Sequence, residues 1–187
     1  MSGLIVLAIV GLVIAWLILI FNSLVSLRND VQGSWKQIDV QLKRRHDLIP
    51  NLVSTVKGAL EFEQDTLEKV ISARAKAVSA GTPQTKAAAE NMLTQALGKL
   101  FAVMENYPAL KSNQNVMQLQ EELTSTENRI AFARQLYNDQ VANYRTKLQV
   151  FPNNLVSSML GFRAEEYFGA EEAARTAPSV NLSLRGK

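Results

Sequence analysis

The sequence has no cysteine, one histidine, nine glycines and five prolines in 187 residues. The absence of cysteine excludes disulfide scaffolds, cysteine nucleophiles and thiolate metal sites, and the single histidine excludes sites that need several imidazoles. The low glycine and proline content argues against collagen-like or low-complexity chains. Charge is also missing from residues 1–27. The chain therefore consists of a neutral apolar leader followed by a segment of ordinary soluble composition.

The leader contains an uninterrupted apolar run at residues 4–21, LIVLAIVGLVIAWLILIF. As a helix this run is about 27 Å long, close to the thickness of the hydrocarbon core of a bilayer. A cleaved signal peptide is the alternative, but it needs a basic segment before the run and a small-x-small site after it, and neither is present. We expect residues 1–27 to be an uncleaved transmembrane anchor with a short N-terminus.

Basic residues follow the anchor, whereas none precedes it. Arg28 and Lys36 come first, and Lys43, Arg44 and Arg45 follow. Because Lys and Arg beside a membrane span are retained in the cytoplasm, we expect the N-terminus outside and the larger part of the chain in the cytoplasm.

Beyond the anchor, apolar residues recur at spacings of three and four, a pattern typical of amphipathic helices. The four stripes with this spacing are Leu24, Leu27, Val31, Trp35, Ile38 and Leu42; Leu52, Val53, Val56, Leu60, Leu67, Val70, Ile71 and Val78; Ala89, Leu93, Ala96, Leu97, Leu100, Val103 and Met104; and Val116, Leu119, Leu123, Ile130, Tyr137, Val141, Tyr144 and Leu148. The sequence predicts an all-α fold in which the single N-terminal transmembrane helix continues into an antiparallel four-helix bundle over residues 28–168.

Turn residues divide the bundle. Gly81-Thr82-Pro83 places a C-terminal glycine, an N-cap and an N1 proline in succession, which predicts a tight turn between two helices. Asn106-Tyr107-Pro108 predicts the end of the next helix, and Ser112 or Asn113 is placed to cap the one after it.

Pro50 has two interpretations. A turn near residues 46–50, with Asp47 as N-cap, places the proline where its missing N–H costs nothing. Alternatively, Pro50 kinks one long helix over residues 22–80. We favour the turn.

The fourth helix of an antiparallel bundle returns towards the membrane, and the sequence after it is apolar. The residues concerned are Phe151, Leu155, Val156, Met159, Leu160, Phe162, Tyr167 and Phe168. We expect this segment to lie at the membrane interface or in a subunit contact near it. The alternative is that it closes the open end of the bundle as local core. Residues 169–187 are expected to be a flexible tail, in which Val180, Leu182 and Leu184 alternate as in a strand added to a partner.

The motifs of common enzyme and ligand-binding sites are missing. The Glu-x-x-His motif of di-iron bundles is absent, because Lys43 stands three residues before His46. No nucleophile elbow or glycine-rich phosphate loop occurs, and the short basic run at residues 43–45 is flanked by Asp39 and Asp47. We therefore expect no enzymatic activity, cofactor, metal, small-molecule substrate or nucleic-acid partner.

Two charged residues interrupt the apolar stripe of the fourth helix. Glu127 and Arg134 are seven residues apart and occupy positions that are otherwise apolar. Because buried charges require partners, we predict a structural polar network that sets the helix register. Its predicted members are Asp39, Arg45, Glu127, Arg134 and Asn138. Alternatively, the stripe rotates and these side chains reach solvent.

Four motifs closely resemble those of the LemA family: LVSLRN at 24–29, SWKQIDVQLKRRHDLIPNLVSTVKG at 34–58, ELTSTENRIAFARQLYND at 122–139 and FPNNL at 151–155. The resemblance covers about residues 21–168. It implies a bacterial inner-membrane protein with one N-terminal span, a cytoplasmic antiparallel four-helix bundle and no established enzymatic activity. Carried over by position, the family signature includes Asp39, Lys43, Arg44, Arg45, Asp47, Pro50, Asn51, Glu127, Asn128, Arg129, Arg134, Tyr137 and Asn138. The chain departs from the family pattern at Phe21, where Tyr is common, and at Leu182, where Phe is common.

Together these features predict a scaffold or organiser anchored in the bilayer, acting through self-association and contacts with other membrane proteins. Anchored chains meet at high effective concentration, which favours a homo-oligomer. The alternative is an accessory subunit that regulates a membrane protease or transporter. A third hypothesis, a carboxylate-metal hydrolase or oxidase, lacks a motif.

Overall fold

The computed structural model describes residues 1–169, and within that range every regular element is a helix. The helices are α1 (Ser2–Val56), α2 (Gln64–Ser79), α3 (Pro83–Met104), α4 (Pro108–Lys111), α5 (Gln114–Gln149) and α6 (Asn153–Met159). The all-helical prediction is confirmed. Apart from Gly169, the flexible tail expected at residues 169–187 lies outside the described residues.

The long helix α1 has 55 residues and joins the apolar leader to the rest of the chain without a break. Its first part is long and apolar enough to cross a membrane, and only 6% of the most apolar stretch is buried. A core helix of a soluble protein would be mostly covered. From Leu24 onwards, by contrast, α1 buries one face, which includes Val31, Ile38 and Leu42. The anchor and the first helix of the domain are thus one continuous element.

The turn predicted near residues 46–50 is wrong, because α1 passes through Pro50 and ends at Val56. Proline cannot donate a hydrogen bond to the carbonyl four residues before it, here that of His46. The Nε of Arg74, on α2, donates to that carbonyl at 2.7 Å instead. A side chain from another helix thus replaces the bond that Pro50 cannot make. The alternative of one helix over residues 22–80 is also incorrect, since the chain turns between α1 and α2 at residues 57–63.

The other predicted boundaries are confirmed. Thr82 caps α3 by accepting from the backbone N–H of Thr85, and Pro83 is its first residue. The side chain of Asn113 accepts from the N–H groups of Asn115 and Val116 at the start of α5. Between α3 and α5 lies the short helix α4, which the sequence did not predict.

The helices pack in two pairs, α1 with α5 and α2 with α3. Along the first pair, Trp35 lies against Tyr137, while Arg44, further along α1, lies near Glu122, earlier in α5. The apolar core has three parts, which we name by their distance from the apolar leader. In the far part, the end of α1 meets α2, α3, α4 and the start of α5. A middle part packs Val31, Ile38 and Leu42 against α5. A small near part joins Ile20 and Leu24 to Val156 of α6.

Candidate functional site

A layer of polar and charged residues separates the far and middle parts of the core. On α1 it lies between Leu42 of the middle core and Ile49 of the far core. On α5, Glu127 lies between Leu123 of the far core and Ile130 of the middle core, and Arg134 follows one turn after Ile130. We call this layer the charge cluster; its members are Arg45, His46, Glu90, Thr94, Glu127 and Arg134.

Arg45 is the centre of the charge cluster, with 1% of its surface exposed. Its Nη1 donates to Oε2 of Glu127 at 2.6 Å, and its Nη2 donates to Oγ1 of Thr94 at 2.7 Å. Oε2 of Glu90 lies 3.5 Å from the same Nη1. One guanidinium on α1 thus connects carboxylates of α3 and α5, and charge-assisted bonds of this kind are stronger than bonds between neutral groups.

Glu90 is the fully buried acid of the cluster. Its Oε1 lies 2.7 Å from Nε2 of His46, one residue after Arg45 on α1. The carboxylate therefore faces two neighbouring α1 side chains. Because a buried carboxylate is costly without such partners, Glu90 can occupy the core only with the His46 and Arg45 side chains in place.

Arg134 lies at the edge of the cluster. Among residues 1–169, its Nε and Nη2 find no hydrogen-bond acceptor, and its guanidinium stacks over the ring of Phe168 at 4.7 Å. Burial lowers the pKa of Arg134, although the carboxylates of Glu127 and Glu90 act in the opposite direction. The positive charge of Arg134 is thus held by the field of two acids and by an aromatic face.

The five residues of the predicted network lie at three places. Arg45 and Glu127 form the short ion pair, and Arg134 lies beside them. Asp39 instead pairs with Lys86 of α3, with Oδ1 and Nζ 2.6 Å apart. Asn138 donates to the carbonyl of Phe168 and accepts from its N–H, which ties the segment after α6 to α5.

Sequence reasoning missed His46, Glu90 and Thr94 as members of the cluster. A signal for two of them was present. Glu90 precedes Leu93 and Leu97 by three and seven residues, so it lies on the apolar stripe of α3. His46 follows Leu42 by four residues and precedes Ile49 by three, so it lies on the apolar stripe of α1.

The residues predicted to be membrane-proximal divide into two groups. Four of them pack against the rest of the protein. Val156 is buried against Ile20 and Leu24, and Phe162 packs edge-on to Phe21. Phe168 is buried beside Trp35, and the guanidinium of Arg145 lies over the ring of Tyr167. By contrast, the structure leaves four apolar side chains exposed. These are Phe151, Leu155, Met159 and Leu160. Part of the segment is thus local core, and part presents an uncovered apolar surface.

Two surface grooves accompany these features. A cleft of about 220 Å³ between α3 and α5 includes Thr94 and Glu127 and exposes the outer edge of the charge cluster. A groove of about 640 Å³ runs between α1 and α5 and includes Lys36, Val40, Arg129 and Phe132. Residues 1–169 contain no group of three His, Cys, Asp or Glu side chains able to hold a metal ion. The cluster brings two arginines and two glutamates together and joins α1, α3 and α5.

Comparison with known proteins finds relatives over most of the chain. The sequence profile of the LemA family matches residues 34–182, which include all the helices after the anchor. The chain belongs to the LemA family. With its exposed apolar helix, this membership makes it a membrane-associated helical protein.

Relatives of this LemA-family chain include two proteins named as magnetosome proteins and one named as LemA. Magnetosome protein MamQ 2 of Paramagnetospirillum magneticum is 26% identical over 91% of the chain and 72% of the relative. Magnetosome protein MamQ of Magnetospirillum gryphiswaldense is 25% identical over 87% and 70%. Protein LemA of Metamycoplasma hominis is 25% identical over 82% and 71%.

Proposed function

We propose that this LemA-family protein is a non-enzymatic organiser of the bacterial cytoplasmic membrane that acts through self-association. The observation that carries the proposal is the continuity of α1. Its apolar part is exposed over the length of a bilayer, and its second part is core of the domain. Because no flexible linker interrupts α1, the domain is held in a fixed orientation relative to the apolar part of the helix.

In this proposal α1, α2, α3 and α5 form an antiparallel four-helix bundle in the cytoplasm, and the N-terminus lies outside. The support for the bundle is the pairing of α1 with α5 and of α2 with α3, joined by the charge cluster. The support for the orientation is the basic sequence that follows the span and the absence of basic residues before it.

The groove between α1 and α5 is the proposed surface for self-association. α3 reaches the α1–α5 pair through Lys86 and Glu90, whereas Val40 and Phe132 in the groove stay 62% and 73% exposed. Exposed apolar side chains bordered by charged ones are typical of protein contact sites. Chains confined to one membrane also meet at raised effective concentration, so a weak contact suffices.

Cysteine crosslinking tests self-association directly, because the chain has no cysteine of its own. A full-length Phe132→Cys variant in native membranes should form homodimers with a short bismaleimide. Met92→Cys, which is 51% exposed on α3, is the matched control and should crosslink far less.

Equal crosslinking of the two variants, together with only monomers in mild detergent, would contradict the proposal. Adducts of Phe132→Cys with one other membrane protein, without homodimers, would instead favour an accessory subunit of a protease or transporter.

A further inference from the structure

The short helix α6 has a buried face and an exposed apolar face. Asn153, Val156 and Ser157 point into the protein and are each 6% exposed. Four large apolar side chains in α6 or next to its ends are exposed instead, Phe151 by 79%, Leu155 by 56%, Met159 by 84% and Leu160 by 55%. We call these four the exposed face of α6. Four large apolar side chains on so short a segment are an unusual surface to leave in water.

The position of α6 is fixed by its contacts with α1. Val156 packs against Ile20 and Leu24. The ring of Phe162 lies 5.8 Å from that of Phe21. Ile20 and Phe21 are the last residues of the apolar run, so α6 lies at the level where α1 leaves the hydrocarbon core.

We propose that α6 lies in the headgroup region of the bilayer, with Phe151, Leu155, Met159 and Leu160 inserted into the lipid. This inference rests on the proposed crossing of the membrane by α1. An amphipathic helix parallel to the surface inserts its apolar face shallowly at the boundary between headgroups and acyl chains. α6 has an exposed apolar face of this kind, and Gly161 turns the chain just after it with a φ of +71°.

The lipid is a better occupant of this face than a second copy of the chain. α6 contacts α1 at the end of its exposed apolar run, so the exposed face of α6 lies next to a surface that lipid covers whenever α1 spans the membrane. The segment just after α6 carries Arg163, Glu165 and Glu166, so it is not a basic stretch that would require anionic lipid.

The consequence is a second attachment point. A single spanning helix is free to tilt in the bilayer and to carry its domain with it, whereas an α6 seated in the headgroups on one side of α1 limits that tilt. The groove between α1 and α5 then stays at a constant height above the bilayer, where the same groove of a second anchored chain can meet it.

The test uses full-length single-cysteine variants in vesicles of zwitterionic lipid. Met159→Cys carries an environment-sensitive fluorophore, and Met92→Cys, an exposed methionine of α3, is the matched control. We expect the emission of the label at residue 159 to lie at shorter wavelength than the emission of the label at residue 92. Nitroxide placed near the lipid headgroups should also quench the label at residue 159 several-fold more strongly. Circular dichroism confirms equal helix content.

Quenching at residue 159 that does not exceed that at residue 92 would overturn the proposal. So would emission at residue 159 that changes on dilution with unlabelled protein but not with nitroxide lipid, since a second copy would then cover the face. Leu12→Cys, in the middle of the run, separates the two claims. If nitroxide deep in the bilayer quenches the label at residue 12 but the label at residue 159 is not quenched, only the insertion of α6 into lipid is rejected. If the label at residue 12 is not quenched, the membrane crossing of α1 is rejected.

Discussion

At the scale of single residues, the molecule depends on charges that are buried together. Arg45 contacts Glu127, Thr94 and Glu90 on two other helices. The side chain of its neighbour Arg44 is half exposed, and its Nη2 lies 3.9 Å from Oε2 of Glu122. Two adjacent arginines thus differ in burial and partners, which makes each the natural control for the other.

Replacing Arg45 with Met should lower the free energy of unfolding by about 3 to 5 kcal/mol, because Glu90 and Glu127 lose their buried partner. Arg44→Met should cost about 1 kcal/mol or less, as surface ion pairs do. Thermal unfolding of the full chain in detergent, followed by circular dichroism, measures both. Equal melting temperatures for the two variants would contradict the assigned role of the cluster.

A second residue-scale prediction concerns alkaline pH. Burial, with smaller contributions from the carboxylates of Glu165 and Glu166, raises the pKa of Tyr137 to about 12. The folded state therefore keeps the phenol proton where the unfolded state has released it, above pH 10. Stability from this residue is complete below about pH 10 and is lost as pH rises towards about 12, a change on the order of 2 kcal/mol.

The measurement is the unfolding free energy of the wild type and of Tyr137→Phe at several alkaline pH values. The variant loses the hydrogen bond from the phenol to the carbonyl of Glu166, so it should be less stable at neutral pH. Its stability should nevertheless decline less steeply above about pH 10. Parallel declines in the two proteins would show that Tyr137 does not titrate as described.

At the scale of elements, the continuity of α1 through Pro50 depends on α2. The carbonyl of His46 has lost its helical partner and accepts from Arg74 instead. Arg74→Met should therefore destabilise the protein by about 1 to 2 kcal/mol, since the carbonyl is left unpaired inside the domain.

In a Pro50→Ala background, the restored N–H at residue 50 bonds that carbonyl, and Arg74→Met should cost much less. The double-mutant cycle should give a coupling of about 1 kcal/mol. Lys69→Met, on the same helix but paired with Asp65 at the surface, is the control and should show none. A coupling near zero would mean that Arg74 does not replace the missing bond.

These elements differ in whether the sequence alone predicts them. The stripes, the cap at Thr82 and the cap at Asn113 follow from neighbours within one or two turns, and they were predicted. The passage of α1 through Pro50 depends on Arg74, which is distant along the chain, so no local pattern indicates it. The pairing of Arg45 with Glu90 also depends on how α3 docks. Spacing places Glu90 on the correct face but does not identify its partner.

At the scale of the whole molecule, the proposed arrangement is a rod that stands on the membrane. The groove between α1 and α5 lies part-way along the rod, and the exposed face of α6 lies at its base. The far end is the turn at residues 57–63, where Phe62 is 94% exposed. From Phe21 to Val56, a straight helix rises about 50 Å.

The heights of three positions above the bilayer test directly whether the molecule stands on the membrane as a rod. Energy transfer from single-cysteine labels to acceptor lipids measures these heights on the full chain in vesicles. From the helical rise of α1, we expect about 50 Å for Phe62→Cys and about 30 Å for Phe132→Cys, which lies beside Val40. Met159→Cys should lie at the surface. Similar heights for residues 62 and 132, or a residue 62 close to the lipid, would contradict this arrangement, because α1 would then bend after the anchor or lie flat on the membrane.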